Sequence, residues 1–346
     1  MIGKDRIMES NKLLTILVPC YNSAAYMRHC IESLIPGGEL MDIIIVNDGS
    51  SDDTGAIADE YASKYPSMIR AIHQENGGHG EGINQGIQHA VGKYFKVIDS
   101  DDWTDTESLN RVLNFLKNNE VDLLVTNYVY EHDDASTNHT IRFKNVFRPE
   151  GKVMTWDDTH PFRLTQYLTL HSTIYRTEVI RQTGLVLPKK IFYEDNLFVY
   201  TPLPYVKKLA YLNVDFYHYY IGRPDQSVNM DIMKKRCHHQ IQISEEIFMK
   251  HNLDHMKMTN PKLARYMYHK VVLVMAIATA FTRLNKTKEA EEQVRQMWKN
   301  CESVYPELAD KVHYRSIVAF LNIPGKFGNA ICCGLYSMAH KLVKFN

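Results

Sequence analysis

Four consecutive residues, Asp99-Ser100-Asp101-Asp102, follow directly on the apolar run Tyr94 to Ile98. Three carboxylates in so short a stretch raise one another's energy unless a cation or hydrogen-bond donors intervene. Hard divalent ions take oxygen ligands, and Mg²⁺ settles on one or two carboxylates together with a substrate's phosphates. The pattern therefore points to a metal site for a diphosphate, with Asp99 and Asp101 as ligands and Mn²⁺ or Mg²⁺ as the ion. Helix capping is the alternative, because Thr104 and Glu107 have the spacing of a capping box for the helix that follows. Capping accounts for Asp102 or Asp105 and leaves the Asp99/Asp101 pair unexplained.

Other groups could serve the same ligand. Tyr21 offers a π-face for a base, a stacking contact worth about 1–3 kcal/mol, or it is a packed aromatic. Asp48 could accept the imide N–H of uracil, since an ionised carboxylate only accepts, or it is a turn residue before Gly49. Glu194-Asp195 lies between Ile191-Phe192-Tyr193 and the apolar Leu197-Phe198-Val199, where a carboxylate base or an acidic helix N-terminus would sit. In Tyr217 to Ser227, Arg223 can bind phosphate with two N–H groups. Ser227 is a second candidate there and His218 a further metal ligand, while most of Phe216 to Tyr220 belongs to the interior. His79, flanked by glycines, is either a ligand or a solvated loop residue.

The elements that position these groups are legible from pattern. Leu13 to Val18 reads as a buried strand ending at Pro19, and Ser23 opens a helix that Pro36-Gly37-Gly38 stops. Ile43 to Val46 is the next strand, followed by a helix capped by Asp53 or Thr54. Met68 to His73, Tyr94 to Ile98 and Asp122 to Tyr130 are strands, with helices at Glu81 to Ala90 and Glu107 to Asn118. This alternation implies βαβ units: an α/β fold with a mostly parallel sheet and helices on both faces. Ligands of such sheets lie beyond the carboxyl ends of the strands, where Pro19 to Asn22, Asn47 to Ser51 and Asp99 to Asp102 all fall. Glu131 to Pro161 reads as an irregular loop or lid, and Leu164 to Gln182 mixes helical and strand signals. Helices at Met233 to Lys250, Lys262 to Leu284 and Lys288 to Tyr305 make a C-terminal helical region, so the expected division is 1–228 and 229–346.

Composition narrows the function. The chain has 346 residues with 40 basic and 40 acidic side chains, a balance that argues against a nucleic-acid partner. Its six cysteines show no C-x-x-C spacing and suit a reducing cytosol. No signal peptide is visible, and Val271 to Phe281 is too short to span a bilayer, which takes roughly 20 residues. A cytoplasmic enzyme is expected. The G-x-G-x-x-G that a dinucleotide site needs after the first strand is replaced by Pro19-Cys20-Tyr21-Asn22-Ser23, and no P-loop is present.

The segments "VPCYNSAAYMRHCIESL", "IIIVNDGSSDDT", "NGGHGEGINQGI", "KYFKVIDSDDW" and "YEDNLFVY", in this order along residues 13–228, resemble the family-two glycosyltransferases of the GT-A fold. The resemblance implies an enzyme that moves a hexosyl unit from a nucleotide-sugar donor to an acceptor hydroxyl. It implies that Pro19, Tyr21, Asn22 and Asp48 hold the nucleobase and ribose, and that Asp99 and Asp101 are the family's D-x-D pair. It assigns Asp195 as the base, with Glu194 orienting a hydroxyl, and a single displacement that inverts the anomeric carbon. Asn84 falls on the family's Ala-Arg-Asn triplet, here Gly82-Ile83-Asn84. The missing arginine would have to be replaced from elsewhere, with Lys93, Lys96 and Arg223 as candidates.

From Lys311 onward the chain has no acidic residue, and Ile331, Leu335, Met338, Leu342 and Phe345 share one helical stripe. This is either a basic amphipathic helix lying on the anionic inner face of the plasma membrane, or a last helix docked on its neighbours. The membrane reading suits a glycan or lipid-linked acceptor in cell-surface polysaccharide synthesis. A nucleotidyltransferase and a non-catalytic sugar- or nucleotide-binding module are the competing functions.

Overall fold

A computed structural model describes residues 11–223, 226, 230–314, 318–323, 325, 327–332 and 334. Packing divides the chain into two compact units. The first holds the residues up to Pro161, Leu168–Lys190 and Pro202–Tyr220; the second holds Phe162–Tyr167, Ile191–Thr201 and the chain from Ile221. This differs from a simple cut near residue 228, because two internal segments, one of them carrying Glu194 and Asp195, belong to the second unit.

The first unit is built on one sheet. Its strands are β1 (Leu14–Cys20), β2 (Met41–Asp48), β3 (Ile69–Gln74), β4 (Tyr94–Val97), β5 (Leu123–Glu131), β6 (His139–Ile141), β7 (Thr173–Arg176) and β8 (Leu209–Tyr220). The order is β3-β2-β1-β4-β7-β5-β6, with β8 on β5. β1, β2, β3 and β4 are mutually parallel, and every residue of β1 and β2 is buried. That two-sided burial is why these strands read as unbroken apolar runs rather than alternating ones. β7 then enters antiparallel between β4 and β5, while β8 runs parallel to β5. Helices α1 (Met27–Leu34), α2 (Thr54–Lys64), α3 (His79–His89), α4 (Thr106–Asn118) and α5 (Thr177–Gln182) complete the unit.

Four sequence expectations change. α1 begins at Met27 rather than Ser23, because the Ser23 carbonyl closes a turn by accepting from the Tyr26 and Met27 amides. The cap of α4 is Asp105, which accepts from the Ser108 amide at 3.0 Å, and Thr104 instead donates to the Ser33 carbonyl. The stretch from Glu131 to Pro161 is not a loose lid: it contains β6 and buries Phe143, Phe147 and Trp156. The mixed signals of Leu164 to Gln182 separate into β7 and α5.

The second unit is helical: α6 (Asp195–Tyr200), α7 (Met230–Lys235), α8 (Cys237–Lys250), α9 (Leu253–Thr259), α10 (Pro261–Arg283) and α11 (Lys288–Val304). The ends are chemically marked. Asn260 caps α10 by accepting from the Leu263 amide, with Pro261 at the first helical position. Thr287 caps α11, whose Ala290, Val294, Met297, Trp298 and Cys301 form one buried stripe. Val271 to Phe281 lies within α10, and no helix among the described residues is long and apolar enough to cross a membrane. Most of the expected basic amphipathic tail, including Leu335, Met338, Leu342 and Phe345, lies outside the described residues.

The amino end of the sheet is pinned by a polar chain whose inner members, Gly92, Thr15 and Asp42, are buried. Gly92 N–H donates to Thr15 Oγ1 (2.8 Å), Thr15 donates to Asp42 (2.7 Å), and the Arg70 guanidinium binds Asp42 at 2.8–3.0 Å. A Cβ on Gly92 would stand 2.4 Å from the Thr15 nitrogen, a backbone atom that cannot move aside. Gly92→Ala is expected to lower stability by about 1–3 kcal/mol, the usual cost of overpacking, read as a lower urea midpoint with unchanged slope.

Candidate active site

At the carboxyl edge, the loops after β1 and β2 are stitched to each other. Asn22 adopts φ 49°, and its side-chain oxygen accepts from the Ser51 amide (2.9 Å) while its own N–H donates to Ser50 Oγ (3.0 Å). Asparagine is among the few non-glycine residues enriched in this left-handed region, which explains its place after Tyr21. Tyr21 itself is 54% exposed, so it is a free aromatic face and not a packed one. Pro19 is buried at the end of β1. Ser23 Oγ and Ser100 Oγ lie 2.8 Å apart and tie this corner to the acidic segment.

Asp48 has a structural task. Its Oδ1 accepts from Gln74 Nε2 (2.6 Å) and the Gly77 amide (2.7 Å), and its Oδ2 accepts from the Gly78 amide (2.8 Å). Two oxygens offer about four lone-pair positions, so one remains on Oδ2 for a ligand donor. Asn84 is held as firmly: its amide exchanges hydrogen bonds with the Leu187 backbone (2.8 and 3.0 Å) and donates to Glu81 at 3.0 Å.

Beyond β4 the acids divide by environment. Asp99 is half-buried, and its Oδ1 lies 2.9 Å from His79 Nε2. Burial alone would raise its pKa, but His79, His171 and Lys96 outweigh that and leave it below the ordinary carboxyl value. Asp102 is fully buried and goes the other way, pushed well up by burial and then by Asp101 and Asp99. It accepts from Tyr217 Oη at 2.5 Å and from the Tyr220 amide at 2.9 Å. Asp101 is half-buried between them in sequence.

Oxygen atoms of Asp99 and Asp102 and a ring nitrogen of His171 come within 4.8 Å of one another. His171 has its pKa lowered to about 4 by burial, so its ring is neutral at physiological pH, and its Nδ1 is buried with no hydrogen-bond partner. Nothing in the sequence marked His171, which reaches the acids only because β7 inserts beside β4. His79 proves to be a partner of Asp99 rather than a solvated loop residue. His218 does not join the cluster; its Nδ1 is 2.7 Å from Glu131, and its ring stacks on Trp103.

The position left by the missing arginine is apolar, since Ile83 is buried. Lys93 does not supply the charge, because it sits at the amino end of β4 and pairs with Glu120 at 2.7 Å. Lys96 is buried beneath the acids and donates to the carbonyls of Leu170, His171 and Thr173 at 2.6–3.3 Å. In the second unit, Glu194 is buried and Asp195 is the first residue of α6. Arg223 is half-buried there, with its N–H donating to Gln226, and Ser227 lies outside the described residues.

Residues 15–182 match the family described as Glycosyl transferase family 2. EpsH of Bacillus subtilis (strain 168), a glycosyltransferase by name, is 31% identical over 214 residues, covering 60% of each chain. The minor teichoic acid biosynthesis protein GgaB of the same organism is 36% identical over 115 residues, 32% of this chain and 13% of that one. The match thus spans about 60% of the length of EpsH. Residues 1–349 of S. aureus TarS, solved in complex with UDP-GlcNAc, are 18% identical, cover 96% of this chain and 91% of that one, and superpose with a TM-score of 0.66. The shared feature is the GT-A fold.

The anchoring role of Asp48 is open to a direct measurement. Asp48→Asn keeps the shape but turns an amide N–H₂ toward backbone N–H groups. The expected result is a loss of about 1–3 kcal/mol, with faster amide exchange at Gly77 and Gly78.

Proposed function

The chain carries a family 2 glycosyl transferase domain over residues 15–182, and from that premise we propose that it transfers a sugar from a UDP-linked donor to a hydroxyl of a glycan or lipid-linked acceptor. The observation that carries this reading is the set of Asp99, Asp102 and His171 donor atoms at the carboxyl edge of a parallel sheet, beside the exposed ring of Tyr21. TarS was solved with UDP-GlcNAc and GgaB is named for teichoic acid biosynthesis, which supports a UDP donor and a cell-surface glycan as product. The five described cysteines are free thiols, in keeping with a cytoplasmic enzyme, and the basic C-terminal residues suit contact with an anionic membrane.

The donor set fits a divalent ion. It combines carboxylate oxygens with a neutral imidazole whose Nδ1 has no other partner. Asp99 and His171 would hold Mn²⁺ or Mg²⁺ together with Asp101, the other acid of the D-x-D pair, and Asp102, held by Tyr217 and the Tyr220 amide, lies within reach of the same ion. Such an ion offsets charge on a departing diphosphate. Tyr21 stacks on the uracil; Pro19, Asn22 and the remaining Oδ2 lone pair of Asp48 line the nucleoside, and Asn84 fixes the α3 side of the pocket. Arg223 and Ser227 bind phosphate.

Asp195 takes the proton of the acceptor hydroxyl as that hydroxyl's oxygen bonds to the anomeric carbon. The electrons of the broken C–O bond leave with UDP, and one displacement inverts the configuration. Glu194 orients a hydroxyl of donor or acceptor.

The test is release of UDP from UDP-GlcNAc, UDP-glucose and UDP-galactose with Mn²⁺ or Mg²⁺. Turnover of at least one is expected, lost with EDTA and restored by Mn²⁺. Asp99→Ala should abolish both turnover and metal-dependent donor binding, whereas Asp195→Asn should keep donor binding and lower kcat by about 10²–10⁴-fold. A binding module would show donor binding and no turnover in any variant. Retention of the donor's anomeric configuration, seen by NMR, would remove Asp195 from the role of base.

A further inference from the structure

Asp195 opens α6 immediately after a strained stretch. Tyr193 has φ 71°, a conformation that an aromatic residue adopts only when its surroundings hold it there. Asn196 does part of that holding. Its Nδ2 donates to the Tyr193 carbonyl (3.0 Å) and to Asp195 Oδ1 (3.2 Å). Its Oδ1 accepts from Lys270 Nζ at 2.7 Å. All four residues belong to the second unit.

Lys270 is an unusual occupant of its helix. It is 1% exposed in the middle of α10, among Met267, Val271 and Val274, which are buried hydrophobic residues. Its ammonium sits 4.1 Å from the centroid of the Tyr167 ring. Burial pushes its pKa down to about 7, and the charge of Asp195 is what pulls it back up. A buried ion pair is often no more stable than apolar residues of similar volume, so packing alone gives no reason for a lysine here. The chemistry of the pair does. An ammonium only donates, so it obliges the Asn196 amide oxygen to face it and the amide N–H₂ to face Asp195.

We propose that Lys270 is a positioning residue for sugar transfer, which acts through Asn196 to fix the Asp195 carboxylate in the orientation that receives the acceptor's proton. The proposal rests on the reading of Asp195 as the base. Lys270 touches neither donor nor acceptor; it sets the amide, the amide sets the carboxylate, and its charge favours the same arrangement.

The experiment compares Lys270→Met, Asn196→Ala, Asp195→Asn and the Lys270→Met/Asp195→Asn double variant. The readouts are kcat and donor KM for UDP release from UDP-GlcNAc, UDP-glucose and UDP-galactose with Mn²⁺, together with the melting temperature of each protein. Lys270→Met should lower kcat by about 10–100-fold, the size of effect seen when a supporting partner of a functional ligand is removed. Donor KM should stay unchanged; the melting temperature should fall, because one partner of a buried contact is removed, and kcat is compared at a temperature where every variant is folded. Asn196→Ala, which leaves α10 intact, should lower kcat in the same way, and it decides the matter if Lys270→Met does not fold. The double variant should be no slower than Asp195→Asn, because residues acting as a unit are not additive. Wild-type kcat in both Lys270→Met and Asn196→Ala, or a double variant slower by the product of the two losses, would overturn the role of Lys270 and leave Asp195 as base. Full turnover in Asp195→Asn would instead overturn the base, and the role of Lys270 with it.

Discussion

Asp99, Asp101 and Asp102 repel one another within a single turn of chain, and much of the first unit is arranged to contain that repulsion. Lys96 lies beneath them, fully buried, with its ammonium 4.8 Å from the centroid of the Tyr217 ring. Burial drives its pKa well down, while Asp99 and Asp102 act to restore its charge. His79 reaches Asp99 from α3, and Tyr217 reaches Asp102 from β8. The acids therefore draw on three different elements. The insertion of β7 beside β4 then places the His171 ring against them, where burial keeps the imidazole neutral.

This explains why two adjacent carboxylates of the same type behave oppositely. Asp99 gains from its histidine and lysine neighbours and stays ionised, whereas for Asp102 burial and the charges of Asp101 and Asp99 outweigh its hydrogen bonds and favour the proton. Environment separates their roles more sharply than sequence position does, a familiar route to assigning different tasks to paired acids. An ionised acid and a protonated one emerge from what first reads as one acidic run.

Much of this was legible in the chain. β1, β2 and β4 announce themselves because strands covered on both faces are largely apolar, with only Thr15, Asp42 and Lys96 breaking the runs, and the polar residues that end them mark the site edge. Tyr21, Asp48 and Asp99 were therefore found where the parallel sheet stops. The share of Asp48 in holding Gly77 and Gly78 was hidden, since backbone amides leave no residue-type signature. His171 and Lys270 were hidden for another reason. Their partners lie about 70 residues away along the chain, at Asp99 and Asn196, and no local period encodes such a meeting. The Ala-Arg-Asn departure was visible, but only burial shows that Ile83 fills its position with a hydrophobic side chain and that Lys93 and Lys96 are engaged elsewhere.

The polar chain of Gly92, Thr15, Asp42 and Arg70 has an evolutionary consequence. It secures the strands at the end of the sheet opposite the loops that follow β1 and β2, with Arg70 also donating to the His89 carbonyl at 2.9 Å. Rigidity and recognition thus reside at opposite poles of the same strands. Substitutions in the loop after β1, such as at the exposed Tyr21, leave this anchorage untouched. A lineage can vary that edge without first having to rebuild its scaffold.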